Sequence, residues 1–272
     1  MALGRRAVLT IRKEPFYRRD AFEKMLAKHG YRVVPHNVHP DSKEDLLILW
    51  NRKRGADDNV ATEWEARGGT VIVAENGYIQ KVDKTYYALS VHGHNGSGWF
   101  PVGDEDRFSK LEIEVKPYHD CSDLGYALVC GQRGIGTPLM ASPSQWAERI
   151  ATKLSANGVP TKLRQHPGNF KPKTALTDDL KKARSCVIWS SGSGVRAMVE
   201  GYPVFFDAPH WICSDGAWRF NLGLIKHPPK DSDEARAKAL HKMAHGQWHF
   251  EEIATGEPLA RMLAHLGEAK WS

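Results

Sequence analysis

The feature that most constrains this chain is a repeated alternation of short apolar runs with helix-patterned stretches. Ala7–Ile11 (AVLTI), Tyr31–Pro35, Asp45–Trp50 (DLLILW) and Thr70–Ala74 (TVIVA) read as strands. Between them, Tyr17–His29 has Phe22, Met25 and Leu26 at helical spacing and stops at Gly30, and Asp57–Arg67 closes at Gly68-Gly69. Strand, helix and strand in turn call for a parallel sheet with helices on both faces. A loop-rich stretch follows from Glu75 to about Lys116, with a strand around Tyr86–Val91, and Val115–Leu124 reads as a linker. The alternation then resumes. Tyr126–Gly131, Pro160–Gln165, Cys186–Trp189 and Pro203–Phe206 read as strands, and Ser142–Ala156, Leu176–Ala183 and Gly194–Glu200 as helices. Amphipathic helices over Glu234–His245 and Glu257–Leu266 close the chain. At roughly 150 residues per domain, 272 residues make about two domains. The expectation is an α/β chain of two Rossmann-like domains, residues 1–120 and 121–272, with room for the terminal helices to pack back on the first.

Composition excludes several classes. With 41% hydrophobic and 26% charged residues the chain is neither disordered nor membrane-embedded in character. No apolar run approaches the ~18 residues of a membrane span. MALGRRAVLTIRKEPF lacks an apolar core and a small-residue cleavage site, which argues against a signal peptide. Cys121, Cys130, Cys186 and Cys213 form no CxxC pair and suit reduced thiols, so a cytoplasmic location is expected.

The net charge of +6 is unevenly distributed. Residues 1–54 carry 13 basic and 6 acidic side chains, residues 55–120 carry 6 and 12, and the remainder 19 and 14. The first segment holds Arg5-Arg6, Arg12-Lys13, Arg18-Arg19 and Arg52-Lys53-Arg54. Arg12-Lys13 leaves the strand AVLTI and Arg52-Lys53-Arg54 leaves DLLILW. Both clusters therefore fall at carboxyl ends of strands, where open α/β sheets bind their ligands.

Three loops suit an anion. Ser190-Ser191-Gly192-Ser193-Gly194-Val195 follows a strand and opens a helix, so hydroxyls and backbone N–H groups can meet a phosphate at a helix N-terminus; a tight turn with an N-cap would read the same way. Arg164-Gln165-His166-Pro167-Gly168 places His166 at the end of the preceding strand. Gly131-Gln132-Arg133-Gly134-Ile135-Gly136 leaves the first strand of the second half, where glycine permits close approach and Arg133 could meet phosphate. It is neither a Walker A loop nor a GxGxxG fingerprint. The three on one sheet edge point to a nucleotide or pyrophosphate site.

HP at a strand end, SS before a helix, and that helix closing as A-M-V-E-G-Y-P-V together resemble the C-terminal donor domain of GT-B glycosyltransferases. The HP and SS pair is most similar to bacterial sialyltransferases and Kdo-transferring capsule enzymes. The wider run, GQRGIGTPLMASPSQWAERIA, RQHPG and WSSGSGVRAMVEGYPVFF, also resembles phage glycosyltransferases, including those that modify hydroxymethylated cytosine in DNA. The resemblance covers about residues 125–215. It implies a GT-B fold with an interdomain cleft, with the nucleotide-sugar bound by the C-terminal domain. It also implies that His166 contacts the donor phosphate or assists the leaving group, and that Ser190, Ser191 and Ser193 hold a diphosphate. Glu200 would meet the ribose, although the spaced glutamate pair of many retaining enzymes is missing here. Gln132, Arg133, Gly134, Gly136, Arg164, Gly192 and Gly194 complete the expected donor set.

Such enzymes resemble metal-independent catalysts, and no DxD stands at a strand end. Asp231-Ser232-Asp233 reads as a helix cap, and the His241, His245, His249 series is broken by Gly246 with no carboxylate or cysteine to complete a zinc site. Neither a metal nor a cofactor is expected; the nucleotide-sugar, a UDP-sugar by preference, is a substrate. An inverting transfer needs a base. Glu75, straight after TVIVA, and His94 are the candidates, with His92 and Asp104 behind them. The basic clusters (Arg12, Lys13, Arg18, Arg52, Lys53, Arg54) suit a polyanionic acceptor such as double-stranded DNA, and Trp99 could stack on an extruded base or simply pack its loop. The expectation is transfer to a hydroxyl of hydroxymethylcytosine in DNA. The alternatives are a surface-polysaccharide transferase using a CMP- or UDP-sugar and a non-catalytic nucleotide-sugar or nucleic-acid binding module.

Overall fold

The computed structural model describes residues 5–79, 85–121, 125–137, 139–168, 172–229 and 233–266. The chain divides into two compact units, Met1–Glu105 with Ala244–Ser272, and Asp106–Met243. The break expected near Asp120 thus lies at Glu105, and the chain re-enters the first unit at Ala244. The C-terminal segment returns because it carries apolar side chains that the first unit buries: Trp248, Ile253, Leu259 and Met262 belong to its core.

In the first unit the elements run β1 (Arg6–Leu9), α1 (Arg19–Lys28), β2 (Arg32–Val34), β3 (Leu46–Trp50), α2 (Ala56–Ala66), β4 (Thr70–Asn76) and β5 (Tyr86–Val91). The sheet order places β2, β1, β3 and β4 side by side in parallel, with β5 antiparallel on β4. Alternation along each strand sorts its side chains to two faces. Val8, Leu47, Leu49, Val71 and Val73 pack with Ala61 and Trp64 of α2. Ala7, Leu9, Leu46, Ile48, Ile72 and Ala74 pack on the other face with Phe22, Met25 and Leu26 of α1. Full burial of each such Leu, Ile or Phe is worth about 1.5–3 kcal/mol. Helix α1 is shorter than the expected Tyr17–His29 because Arg18 adopts left-handed backbone (φ 45°) and splits off a 3-10 turn at Pro15–Tyr17.

The second unit holds β6 (Tyr126–Cys130), α3 (Trp146–Ala156), β7 (Thr161–Arg164), α4 (Leu176–Leu180), β8 (Ala183–Ile188), α5 (Gly192–Val199), β9 (Val204–Phe206), β10 (Trp218–Arg219), α6 (Leu222–Lys226) and α7 (Asp233–His245). Its five strands are all parallel, in the order β10-β9-β8-β6-β7. Ala127, Val129, Val187 and Phe205 meet Trp146, Ile150 and Leu154 of α3 on one face. Asp231 and Ser232 of the expected helix cap lie outside the described residues. The chain ends with β11 (Gln247–His249), antiparallel on β5, then α8 (Phe250–Thr255) and α9 (Glu257–His265) in the first unit. Among the described residues no helix is long and apolar enough to cross a membrane.

Each sheet has one point where the strand order reverses, between β1 and β3 and between β6 and β8. The strand exits at these points are where ligands of open α/β sheets bind. At the second, Gly194 lets α5 press on the sheet: a Cβ there would stand 2.4 Å from Ile188 Cδ1 and 2.8 Å from a Trp211 ring carbon. Gly194→Ala should therefore overpack the turn and lower stability by about 1–3 kcal/mol, read as a lower urea midpoint at unchanged m-value.

Candidate functional site

At the reversal in the second unit, the loops after β6 and β8 are braced by one amide. Gln132 Oε1 accepts the Ser190 N–H at 3.1 Å and its Nε2 donates to Ser190 Oγ at 3.2 Å. Ser190 is fully buried. Gln132, half-buried, and Ser190 thus hold the edge in shape. Ser191 is the N-cap of α5, its Oγ accepting the Ser193 N–H at 3.1 Å and lying 3.2 Å from Ser193 Oγ. Gly192, exposed, opens the helix. The helix N-terminus, the Ser191 and Ser193 hydroxyls and a bare glycine form an edge suited to an oxyanion.

His166 and Arg133 stand together on the neighbouring loops. The Gly168 N–H donates to His166 Nδ1 at 2.9 Å, which makes Nδ1 the acceptor and leaves Nε2–H as the donor of the neutral ring. A Cβ on Gly168 would lie 3.1 Å from that Nδ1 and 3.3 Å from Arg133 Cζ. Burial and then the Arg133 charge push the His166 pKa down, so the ring is a neutral hydrogen-bond donor at pH 7. Gly136 is buried with φ +127°, a conformation that favours glycine, in the turn that follows Arg133. Gly134 lies exposed in the same turn. The surrounding frame escaped sequence reading. Trp146 Nε1 donates to Asp207 at 2.7 Å, Trp189 Nε1 donates to Met140 O at 2.9 Å, and the two rings meet edge to face at 5.9 Å.

Two expected donor residues are engaged elsewhere. Arg164 turns to Asp179, which is 2% exposed and also receives Lys162 Nζ at 2.6 Å and Thr174 Oγ1 at 2.7 Å. Burial opposes the Asp179 charge, but these donors outweigh it and hold its pKa low. Removing the guanidinium would leave a buried carboxylate short of partners. Glu200 caps the opposite end of α5 from Ser191, about 13 to 14 Å away at 1.5 Å per residue, and pairs with Arg196 and Lys116.

In the first unit, β4 directs Glu75 to the same face as Val71 and Val73. Glu75 is half-buried; its Oε1 is inaccessible to solvent and has no hydrogen-bond partner, and beside the group stand the Tyr78 hydroxyl and the Asn95 N–H, which donates to that hydroxyl at 3.2 Å. Burial pushes the Glu75 pKa up to about 8 against the partial relief of those two donors, so the carboxyl is neutral at pH 7. His94, 5% exposed, has its Nδ1 unsatisfied, and burial followed by the Arg52 charge pushes its pKa down to about 4. Both expected acid–base candidates of the first unit are therefore uncharged. His92 pairs with Glu65 at 2.6 Å, and Asp104 is exposed.

The basic residues expected at the acceptor differ in what they face. Arg52 is buried, and its five N–H groups are taken by Asp58, Thr62, Glu65 twice, and the main-chain oxygen of His92. A cation so enclosed cannot meet a phosphate. Trp99 pairs its backbone with Val91 and packs on the core, so it fastens a loop and is no wedge. Arg18 is held by Asp20 and lies 3.5 Å over the Phe250 ring. It also lines a depression with Lys13, Arg19, Glu14, Asp20 and Glu23, where the three cations are balanced by three anions. Arg12 and Arg54 are exposed and Lys53 half-buried. Of the three spaced histidines, His245 meets Gly103 N–H and Glu105 O, and His249 caps α8. Among the described residues no cluster of three or more metal-ligating side chains occurs.

No family model and no curated protein matches this sequence. Several solved structures are similar, two Kdo transferases among them. One is the KpsC β-Kdo 2,4 transferase of Thermosulfurimonas dismutans, with a TM-score of 0.55 at 13% identity, covering 96% of this chain and 97% of that one. The other is the KpsC β-Kdo 2,7 transferase of the same organism, with a TM-score of 0.52 at 13% identity, covering 94% and 99%. The shared fold is α/β, with parallel sheets and flanking helices, as expected for the GT-B class.

Glu75 has a thermodynamic signature. Between its ordinary value of 4.5 and about 8 the folded chain keeps a proton that the unfolded chain has released. Folding stability therefore falls as pH rises through that window. Glu75→Gln has no such proton to hold, so its melting temperature relative to the native chain should climb from pH 5 to pH 8. A pH-independent difference in calorimetry would show that Glu75 ionises normally.

Proposed function

We propose that this chain transfers a glycosyl group from a nucleotide-activated sugar to a saccharide hydroxyl. The observation that carries the reading is the Gln132–Ser190 brace between the loops after β6 and β8, of which one carries Arg133 with His166 beside it and the other carries Ser191, Ser193 and the α5 N-terminus. These groups suit the charge that develops on a departing phosphate. In the reaction the anomeric carbon–oxygen bond to phosphate breaks and its electron pair leaves with the nucleotide. The acceptor oxygen forms the new bond and gives up its proton to a base. Arg133 and the helix N-terminus offset the leaving-group charge without a metal.

Withdrawal of Arg164 leaves Arg133 as the cation of the expected donor set at this edge. That favours a donor with a single bridging phosphate, a CMP-sugar, over the UDP-sugar preferred on motifs alone. The saccharide acceptor gains over DNA because Arg52 and Trp99 are occupied within the first unit. The names of the two similar transferases put Kdo first among donor sugars to be tried.

The test is a mass-spectrometric panel of CMP- and UDP-sugars against oligosaccharides, hydroxymethylated duplex and plain duplex. Mass gain on an oligosaccharide is expected, with Arg133→Ala and His166→Ala lowering kcat/KM by roughly 10- to 1000-fold. Gain on hydroxymethylated duplex alone would return the acceptor to DNA. Donor binding with no transfer to any acceptor would make the chain a binding module.

A further inference from the structure

At the strand-order reversal of the first unit, the exits of β1 and β3 carry a cluster of aromatic rings, one of which stands in water. Phe16 is 43% exposed, whereas Tyr17 and Trp50 are half-buried and pack on the core. The exposed ring is fixed by its backbone. Its 3-10 turn, Pro15–Tyr17, opens on proline and closes through the Tyr17 N–H to Glu14 O at 2.9 Å and the Arg18 N–H to Pro15 O at 3.2 Å. The Tyr87 hydroxyl donates to Phe16 O at 2.6 Å. Phe16 meets Tyr17 and Trp50 edge to face at 5.2 and 6.4 Å, and Tyr17 meets Trp50 in the same way at 4.9 Å.

Both exits are strained. Arg18, Asn51 and Arg52 (φ 45°, 67° and 30°) directly follow Tyr17 and Trp50, and they are three of the seven non-glycine residues with positive φ among the described residues. Such backbone gathers at functional sites, and the carboxyl edge at a reversal is where open α/β sheets bind ligands. Two cations border the rings. Arg12 Cζ lies 5.6 Å from the centre of the Tyr17 ring, its Nη1 stands 3.5 Å from the Tyr17 hydroxyl, and Lys13 follows it in the chain. Both are exposed, and neither forms an ion pair among the described residues. A rigid apolar ring beside two uncompensated charges regains its burial only when a ligand with both characters covers it.

We propose that this face is a binding site for an anionic saccharide, with a C–H face of the sugar on the Phe16 ring and its acid group at Arg12 and Lys13. The site lies wholly in the first unit. The C–H bonds of a pyranose are polarised to suit the negative face of an aromatic ring, and a ring already held in place costs little ordering entropy on binding. Arg12 offers a planar fork to an oxyanion. Nucleic acid fits this face less well on two counts. Duplex DNA carries one negative charge per ~1.7 Å of axis, whereas Glu14, Asp20 and Glu23 balance Lys13, Arg18 and Arg19 in the depression beside the rings. The three ring planes are also steep to one another, at 69° to 90°, so no parallel pair among them receives a base. The preference for a saccharide rests in part on the glycosyl-transfer reading, while the place and charge of the site do not.

The experiment titrates the full chain, read by tryptophan fluorescence and calorimetry, with oligogalacturonate and oligosialate. The same oligomers with their carboxylates reduced to alcohols, and a plain DNA duplex, are the comparisons. Saturable binding of at least one acidic oligomer is expected. Phe16→Ala, and separately Arg12→Gln with Lys13→Gln, should each weaken it roughly tenfold or more, whereas Phe16→Tyr should bind as the native chain does. The substituted side chains are exposed, so melting temperatures should not change. Failure of both acidic oligomers to bind, equal affinity for the reduced oligomers, indifference to Phe16→Ala, or tighter binding of the duplex overturns the proposal. None of these measurements needs a donor. Oligomer binding without transfer from any CMP- or UDP-sugar therefore defeats the glycosyl-transfer reading and leaves this site standing, and transfer without such binding defeats this site alone.

Discussion

Parallel strand pairing is the constraint on which the rest of this molecule depends. Strands such as β3, β6 and β8 are covered on both faces; β1, β3, β6, β7 and β8 are each followed by a helix before the next parallel strand, and every strand of a parallel set ends at the same edge. Chemistry-bearing residues placed after strands are thereby gathered without any need for sequence proximity. Gln132, His166 and Ser190 come together in the second unit because β6 lies between β7 and β8. The brace from Gln132 to Ser190 then converts adjacency of strands into a fixed spacing of loops.

Buried charge imposes the second layer of order. Asp179 and Arg52 are each enclosed, and each draws in several partners from separate segments. Neither is strong evidence of net stabilisation, since desolvation offsets much of the attraction. Their effect is on geometry: Asp179 fixes Lys162, Arg164 and Thr174, and Arg52 fixes α2 against the loop after β5. Glu75 and His94 follow the opposite course, giving up charge.

The strands were legible because LLILW, TVIVA and YALVC are compact apolar runs bounded by turn residues. The turn after β8 was legible because serine and glycine between an apolar run and a helical pattern mark a cap, the part Ser191 plays. Side-chain direction was not legible. Arg52 follows β3 and Arg164 ends β7, yet one turns along α2 and the other to Asp179, choices made by carboxylates outside those strands. Glu200 shares a helix with Ser191, and its place at the other end follows only from where α5 starts and stops. Strand β11 is three residues whose partner, β5, lies far back along the chain, so no local pattern announces it.

The first unit is left at Glu105 and regained at Ala244, and the neighbouring His245 stands 3.2 Å from Glu105 O, so the chain departs and returns through one doorway. The second unit is in this sense an insert within the first. Synthesis runs from the N-terminus, so the second unit has all of its residues before the first has Trp248, Ile253, Leu259 and Met262. The first domain to begin is the last to be finished, and a nascent chain must keep β5 as an open sheet edge until its closing strand emerges.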